Sequence, residues 1–459
     1  MRSARSISLS ISGLALILGG CGSSSESLPA KLRGLTNGTS VPEPSGTNYM
    51  KVTVNGDQCL PSAISDLPNA ACVSVTICAP SASSSSDSTC QVIPGLLLDT
   101  GSIGLRVFRS VLNSNLLNSL TPVLNGGRIV SECVTYGDYT ANWGPLARAT
   151  VFMGGESGVQ TPIQLIDEYY GGRVNGTYVG QTICNSFGPS VTLDTGPSQL
   201  RYNGILGVGM YAQDCGSSCT LSNLAENPGF YYSCSAGSLS SSSSCSTTEI
   251  ALPTGSQLQN PVSLLPVNKN GIVVQLPSVG YSGAVSATGY VIFGVGTQSN
   301  NTPDGSVTQL PVDPETIKIS AILNGANNDA FIDSGTTFYH FPPEGTSGSL
   351  SNCSNWDTGF SGVYCPNGNS NTSVDLTFTL KGYQGSPTIN VTASIGNPIS
   401  IYSGESSSAG VYSNFAMGAD STPLNGASLN TVDFGLPFYL GRTIYHTYES
   451  ATATPFWGI

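Results

Sequence analysis

An apolar run that ends in an aspartate and a hydroxyl, glycine, hydroxyl turn occurs twice in this chain, as Leu96-Leu97-Leu98-Asp99-Thr100-Gly101-Ser102 and as Ala330-Phe331-Ile332-Asp333-Ser334-Gly335-Thr336-Thr337. The pattern is that of a buried strand followed by a tight turn, which presents a carboxylate at the strand's end. Brought face to face, two such carboxylates share one proton, because like charges a few ångströms apart cannot both ionise. One then acts as acid and the other as base. The tripeptide alone does not single out the pair, since Asp194-Thr195-Gly196 and Asp357-Thr358-Gly359 are also present. The first runs into Pro197 where a second hydroxyl is wanted, and the second lies between Cys353 and Cys365. Asp194 and Asp357 are therefore expected to be turn aspartates that bond local backbone.

The N-terminus sets the expected compartment. Arg2 and Arg5 precede an apolar stretch over residues 7–18 that is too short to span a bilayer, and Leu18-Gly19-Gly20-Cys21 follows. This is similar to a bacterial lipoprotein signal at 1–21, with Cys21 as the lipidated first residue of the mature protein. Gly22, rather than an acidic residue, follows it and favours the outer membrane. The protein is thus expected in the bacterial cell envelope, periplasmic or surface-exposed, held to the membrane only by its lipid.

Cysteine usage agrees with an oxidising location. Setting Cys21 aside from the 13 cysteines leaves an even number, with no C-x-x-C pair. Cys215 with Cys219, Cys234 with Cys245 and Cys353 with Cys365 are close enough in sequence to be candidate bridges, whereas spacing does not assign Cys59, Cys72, Cys78, Cys90, Cys133 and Cys184. With two histidines, His340 and His446, there is little from which to build a metal site or a Ser-His-Asp triad. Both are expected to be structural, and neither metal nor cofactor is implied. A net charge of −12 with only 15 Lys and Arg argues against nucleic acid or an anionic membrane surface as partner.

Charged residues make up 9% of the chain beside 55 glycines and 28 prolines, so turn signals are dense and an all-β fold is expected. Residues 22–46 read as a flexible tether. The remaining roughly 410 residues exceed the size at which a single core keeps growing, which predicts two units, assigned to 47–300 and 301–459. Strand signals recur at residues 49–54, 72–77, 149–153, 271–276, 290–293 and 375–380, and apolar spacing over 104–117 predicts a helix. Serine-rich stretches at 81–86 and 238–244 and the small polar segment 403–410 read as surface loops. Each principal aspartate is followed, about a hundred residues on, by a glycine-started apolar segment, Gly204-Ile205-Leu206-Gly207 and Gly435-Leu436-Pro437-Phe438. The same order of parts appears twice.

Taken together the landmarks resemble the pepsin-like aspartic proteases: Asp99-Thr100-Gly101-Ser102, Thr135-Tyr136-Gly137-Asp138, the segment 203–209, Gly289-Tyr290-Val291-Ile292-Phe293-Gly294, Asp333-Ser334-Gly335-Thr336 and Phe434-Gly435-Leu436-Pro437-Phe438, in that order over most of the mature chain. More closely, the chain resembles an uncharacterised bacterial family of predicted lipoproteins within that superfamily, sharing phrases such as 203–209 followed by Gln213-Asp214-Cys215-Gly216. The resemblance implies a bilobal fold in which each lobe supplies one catalytic aspartate loop. Asp99 and Asp333 would activate a water against a peptide carbonyl. Thr100 and Ser334 would brace the two loops, Gly101 and Gly335 would leave room for substrate backbone, and Ser102 and Thr336 would hold the outer carboxylate oxygens. Tyr136, Gly137 and Asp138 would form a flap over the bound peptide, and the glycine-started segments would pack beneath the aspartate loops.

Two departures accompany the resemblance. Pepsin-like enzymes usually place a tryptophan after the first aspartate turn to bond the flap tyrosine, whereas this chain continues Gly104-Leu105-Arg106. Arg106 is thus a candidate partner for the tyrosine and a possible modulator of the dyad, because a nearby cation favours ionised carboxylates. Nor is there a basic prosegment between Cys21 and Tyr49, where Lys31 and Arg33 are the only basic residues. The leading expectation is a membrane-tethered aspartic endopeptidase acting on a peptide or protein. The alternative is a non-catalytic module of the same scaffold that holds a peptide, glycan or partner protein. A glycosidase is the weakest reading, because such enzymes seldom carry both acids in Asp-hydroxyl-Gly turns.

Overall fold

The computed structural model describes residues 38–459 except 189–190, 224, 236, 242–243, 347, 354–361, 367–372, 403–409, 419–429 and 451–452. Cys21, most of the expected tether and the decoy Asp357 lie outside the described residues. The structure is mainly β.

Six strands close into a barrel. Ala71–Cys78 pairs with Gln91–Asp99, which runs parallel to Gly204–Val208, and that strand is antiparallel to Ile103–Phe108. Ile103–Phe108 is in turn parallel to Val159–Ile166, which pairs with Thr140–Phe152, and Thr140–Phe152 returns to Ala71–Cys78. The expected helix over 104–117 is therefore largely absent. Both faces of Ile103–Phe108 are buried, so the strand shows a continuous apolar run that mimics helical spacing. What is helical is a single 3-10 turn at Arg109–Val111 and the α-helix Ser114–Ser119, started by Asn113, whose side chain accepts the Leu116 backbone N–H at 2.8 Å.

A second sheet of seven strands runs, in spatial order, Thr388–Ile395, Val374–Lys381, Ile319–Leu323, Ala326–Phe331, Thr431–Phe434, Tyr339–Phe341 and Ala416–Gly418. Its centre repeats the barrel's arrangement. Ala326–Phe331 runs parallel to Thr431–Phe434, which is antiparallel to Tyr339–Phe341, just as Gln91–Asp99, Gly204–Val208 and Ile103–Phe108 are related. In both, a strand from far along the chain is inserted between the two strands that flank an aspartate turn. The expected equivalence of Gly204 and Gly435 needs one correction: the inserted strand of the second sheet is Thr431–Phe434, and Gly435–Tyr439 is a short helix beyond it.

The chain ends cross the expected boundary at residue 300. Thr443–Thr447 pairs with Gly271–Gln275 and with Phe456–Gly458, which pairs with Gln309–Pro311, so the last residues rejoin the sheet that contains the barrel. Gly271–Gln275 continues through Ala287–Phe293 and Tyr49–Val54 to Ala71–Cys78. The expected tether is also shorter than residue 46, because Thr39–Ser40 pairs with Ala287 and Thr288. A single apolar core runs through both sheets, from Val52, Val73, Leu96 and Leu98 to Ile332, Phe378, Phe434 and Phe438.

Six disulfides are formed among the described residues. The three short-range candidates pair as expected, and Cys59–Cys72, Cys78–Cys90 and Cys133–Cys184 complete the set. The serine stretch 81–86 is an exposed loop between strands, closed at its base by Cys78–Cys90. No helix among the described residues is long and apolar enough to cross a membrane.

Candidate active site

Asp99 ends its strand and Asp333 lies two residues past Ala326–Phe331, so the repeated topology carries both turns to one place. Each turn is built alike. The Gly101 N–H donates to Asp99 Oδ1 at 2.8 Å and the Gly335 N–H to Asp333 Oδ1 at 2.7 Å. Ser102 Oγ donates to Asp99 Oδ2, and Thr336 Oγ1 lies 3.0 Å from Asp333 Oδ2. Glycine is required here by space: a Cβ on Gly101 would sit 2.6 Å from Asp333 Oδ2, and one on Gly335 would sit 2.6 Å from Asp99 Oδ1. The two carboxyls therefore face each other across a gap that any side chain would fill.

A reciprocal set of buried bonds locks the turns together. The Thr100 N–H donates to Ser334 Oγ at 3.2 Å and the Ser334 N–H to Thr100 Oγ1 at 2.9 Å. The hydroxyls then donate onward, Thr100 to the Ile332 carbonyl at 3.3 Å and Ser334 to the Leu98 carbonyl at 2.6 Å. Each hydroxyl thus bonds both turns. Beneath them, Gly207 and Gly435 let the inserted segments approach: a Cβ on Gly207 would lie 2.7 Å from Ile103 N, and one on Gly435 would lie 2.1 Å from the Phe338 carbonyl. The expected packing of these segments under the aspartate turns is what the geometry gives.

A directed hydrogen-bond chain supports Thr100 from below. Trp457 Nε1–H donates to His446 Nδ1 at 2.9 Å, which places the histidine's proton on Nε2 and makes it the donor to Tyr439 Oη at 2.9 Å. Tyr439 O–H then donates to Thr100 Oγ1 at 2.9 Å. Burial pushes His446 down to about 3, so the imidazole stays neutral and can accept from the indole.

Burial, and next the charge of Asp99, push the Asp333 carboxyl well above the usual carboxylate range. Such a shift favours a proton on Asp333 beside the Asp99 carboxyl. A third acid, not singled out in the sequence, adjoins the pair. Asp433 Oδ2 lies 2.7 Å from Thr336 Oγ1, the same hydroxyl that meets Asp333. One hydroxyl proton cannot serve two carboxylates, so both contacts are hydrogen bonds only when one of the two acids is protonated. Burial likewise raises Asp433. Its sequence signal was a lone aspartate within the apolar strand Thr431–Phe434.

Tyr136 lies at the tip of the hairpin formed by Arg128–Thr135 and Thr140–Phe152, near enough to Asp99 to feel its charge. It is 3% exposed, packed with Ala63, Leu67, Leu200 and Tyr202. Asp138 shapes the turn, accepting from Thr140 N–H and Oγ1 at 2.9 and 2.8 Å, and Gly137 lies between.

Arg106 lies near enough to Tyr136 for its charge to act there, but its hydrogen bonds go elsewhere. Its guanidinium bonds Glu132 at 2.9 Å, Asp214 at 3.3 Å and the Ile103 carbonyl, all buried, so it is held by acids from the hairpin strand Arg128–Thr135 and from the segment past Gly204–Val208. Tyr136 O–H donates instead to Asn142 Oδ1 at 2.9 Å. The Asn142 amide donates in turn to Asp194 Oδ2 at 2.5 Å. Asp194 is thus not a turn aspartate that bonds local backbone but a buried acid, raised well above the usual carboxylate range by burial. The segment's Leu193 is buried against Ala141, which carries the aspartate inward.

A family model described as "Protein of unknown function (DUF3443)" matches residues 44–458. The chain belongs to this family. No curated protein matches it. For this DUF3443 protein, Asp99, Asp333, their bracing hydroxyls and Asp433 form a buried cluster of facing carboxyls, two of them raised by burial, where chemistry is most readily sought.

Proposed function

We propose that this protein is a pepsin-like, membrane-tethered aspartic endopeptidase of the bacterial cell envelope, lipid-anchored through Cys21, which hydrolyses peptide bonds with the Asp99 and Asp333 dyad. The observation that carries the reading is the pair of carboxyls facing each other across Gly101 and Gly335 in cross-braced turns. A water held between them would lose a proton to the ionised carboxylate while its oxygen adds to the scissile carbonyl carbon. The protonated carboxyl would donate to the carbonyl oxygen, giving a neutral tetrahedral diol. Collapse returns a proton to the leaving nitrogen and breaks the carbon–nitrogen bond. Thr100 and Ser334 would keep both turns at fixed separation through these steps, and Thr336 with Asp433 would hold the proton near Asp333.

The duplicated arrangement of inserted strands supports a bilobal, pepsin-like reading of the two sheets. The alternative, a module that binds a peptide, glycan or protein without cutting it, is favoured by one observation: Asp99 and Asp333 are only 2% and 0% exposed. A purified sample would be assayed from about pH 3 to 7 for pepstatin binding and for cleavage of a peptide library, beside Asp99→Asn and Asp333→Asn. Cleavage that either substitution abolishes is expected. Cleavage that survives one of them, or neither binding nor cleavage across the range, overturns the protease reading.

A further inference from the structure

Asp194 is a buried acid with one oxygen unused by the fold. Oδ2 accepts from Asn142, but Oδ1 is buried with no hydrogen-bond partner. Such a group weakens a core, and an apolar residue would pack there at less cost to stability. Its connections all lead to the hairpin tip. Tyr136 O–H donates to Asn142 and Asn142 donates to Asp194, so every donor in the chain points away from the tyrosine oxygen. That polarity leaves Tyr136 Oη free to accept a hydrogen bond.

Tyr136 and Asn142 belong to one hairpin and move together, with Val134 opposite Asn142 in register. Asp194 does not belong to it. It follows Thr192–Leu193, a short strand added beside the hairpin by parallel pairing with Thr140 and Ala141. That segment begins at Cys184, which is bonded to Cys133 on the hairpin's other strand, and Gly180 of the preceding helix seats against Trp143. The acid thus sits outside the hairpin, on a segment fastened to both of its strands at Cys133, Thr140, Ala141 and Trp143. The groups facing it are Asn142, Asp138, Tyr136 and Tyr202.

We infer that Asp194, acting through Asn142, is a positioning residue for Tyr136: it fixes the hairpin tip over the dyad and orients the tyrosine oxygen as an acceptor toward a bound peptide. The inference rests on the protease reading. Its geometry is the juxtaposition of a tip tyrosine, an amide on the same hairpin and an acid on the neighbouring strand.

The test uses the full-length protein and two readouts. In hydrogen exchange, which needs no activity, Asp194→Leu is expected to speed exchange of residues 135–141 by about tenfold or more, while Asp194→Asn, which keeps an acceptor for Asn142, leaves it near the parent rate. In peptide hydrolysis, Asp194→Leu and Asn142→Leu lower kcat/KM by about tenfold. In a Tyr136→Phe background either substitution adds little, because the tyrosine is the route by which they act. Asp194→Asn restores the rate. Unchanged exchange with Asp194→Leu overturns the inference, as does an additive loss in the Tyr136→Phe background. Faster exchange in a protein that cleaves nothing would instead remove the protease reading while leaving the anchoring of the tip in place. A thermal midpoint for each variant separates local release from unfolding.

Discussion

At the scale of single residues, the site depends on hydroxyls whose every hydrogen bond is assigned. Thr100 Oγ1 accepts from the Ser334 N–H and from Tyr439 and donates to Ile332, so nothing is left for water. Thr336 is different, because it stands between Asp333 and Asp433 and its single proton leaves one acid needing its own. The charge of Asp433 is one of the causes that raise Asp333. In Asp433→Asn that cause is removed, and Asp333 should lose the shared proton at lower pH. The alkaline limb of the kcat/KM profile is therefore expected to move toward acid, with the acid limb less affected. A pH and rate profile of the variant whose alkaline limb coincides with that of the parent would contradict this role.

At the scale of elements, the hairpin 128–152 is held by its neighbour and not by its own turn. Cys133–Cys184 spans 51 residues, and closing a loop of that size in the unfolded chain corresponds to about 4 kcal/mol of stabilisation. Replacing both cysteines by alanine should lower stability by about that amount in denaturant titration. Proteolysis should then begin within 179–194, the segment the bridge fastens. A loss under about 1 kcal/mol would show that pairing with Thr140–Phe152 suffices without the bond. The segments beneath the aspartate turns are less forgiving. Gly435 lies against Phe338 and Thr336 so closely that even a methyl group displaces backbone.

At the scale of the whole molecule, buried acids set the response to pH. Asp194, Asp214, Asp333 and Asp433 are all raised by burial, so each binds its proton more tightly folded than unfolded. Their contribution is fully present below the unfolded carboxylate value and is lost as pH rises through the folded values. His446 works oppositely: depressed to about 3, its contribution is present above the ordinary imidazole value and is lost as pH falls. Four acids outweigh one imidazole over the mildly acidic range. The net charge of −12 at pH 7 adds self-repulsion that vanishes near the isoelectric point of about 4.5. The thermal midpoint is expected to be higher near pH 4 to 5 than near pH 7.5. Calorimetry that finds the opposite order would show that the buried acids are not protonated in the folded state.

The two aspartate turns were legible from sequence because a strand, a carboxylate and a tight turn are contiguous, and local chemistry writes them without reference to the rest of the chain. The mainly β architecture, several strands and three of the disulfides were legible for the same reason. Ile103–Phe108 was misread because a strand buried on both faces loses its alternation, and only the barrel supplies the second face. Arg106 looked like a neighbour of the dyad by proximity in sequence, yet the strand directs it to Glu132 and Asp214, which come from elsewhere in the chain. Asp194 carried no local pattern that marks a buried acid, and Asp433 carried only its place within an apolar strand. What makes them consequential is an amide on one neighbouring strand and a hydroxyl on another turn, contacts between residues 52 and 97 positions apart. Sequence alone thus determined which residues carry the carboxylates, because that information is local. Tertiary structure alone decided which acids are buried and what Tyr136 bonds, because burial and charge pairing depend on segments that only folding brings together.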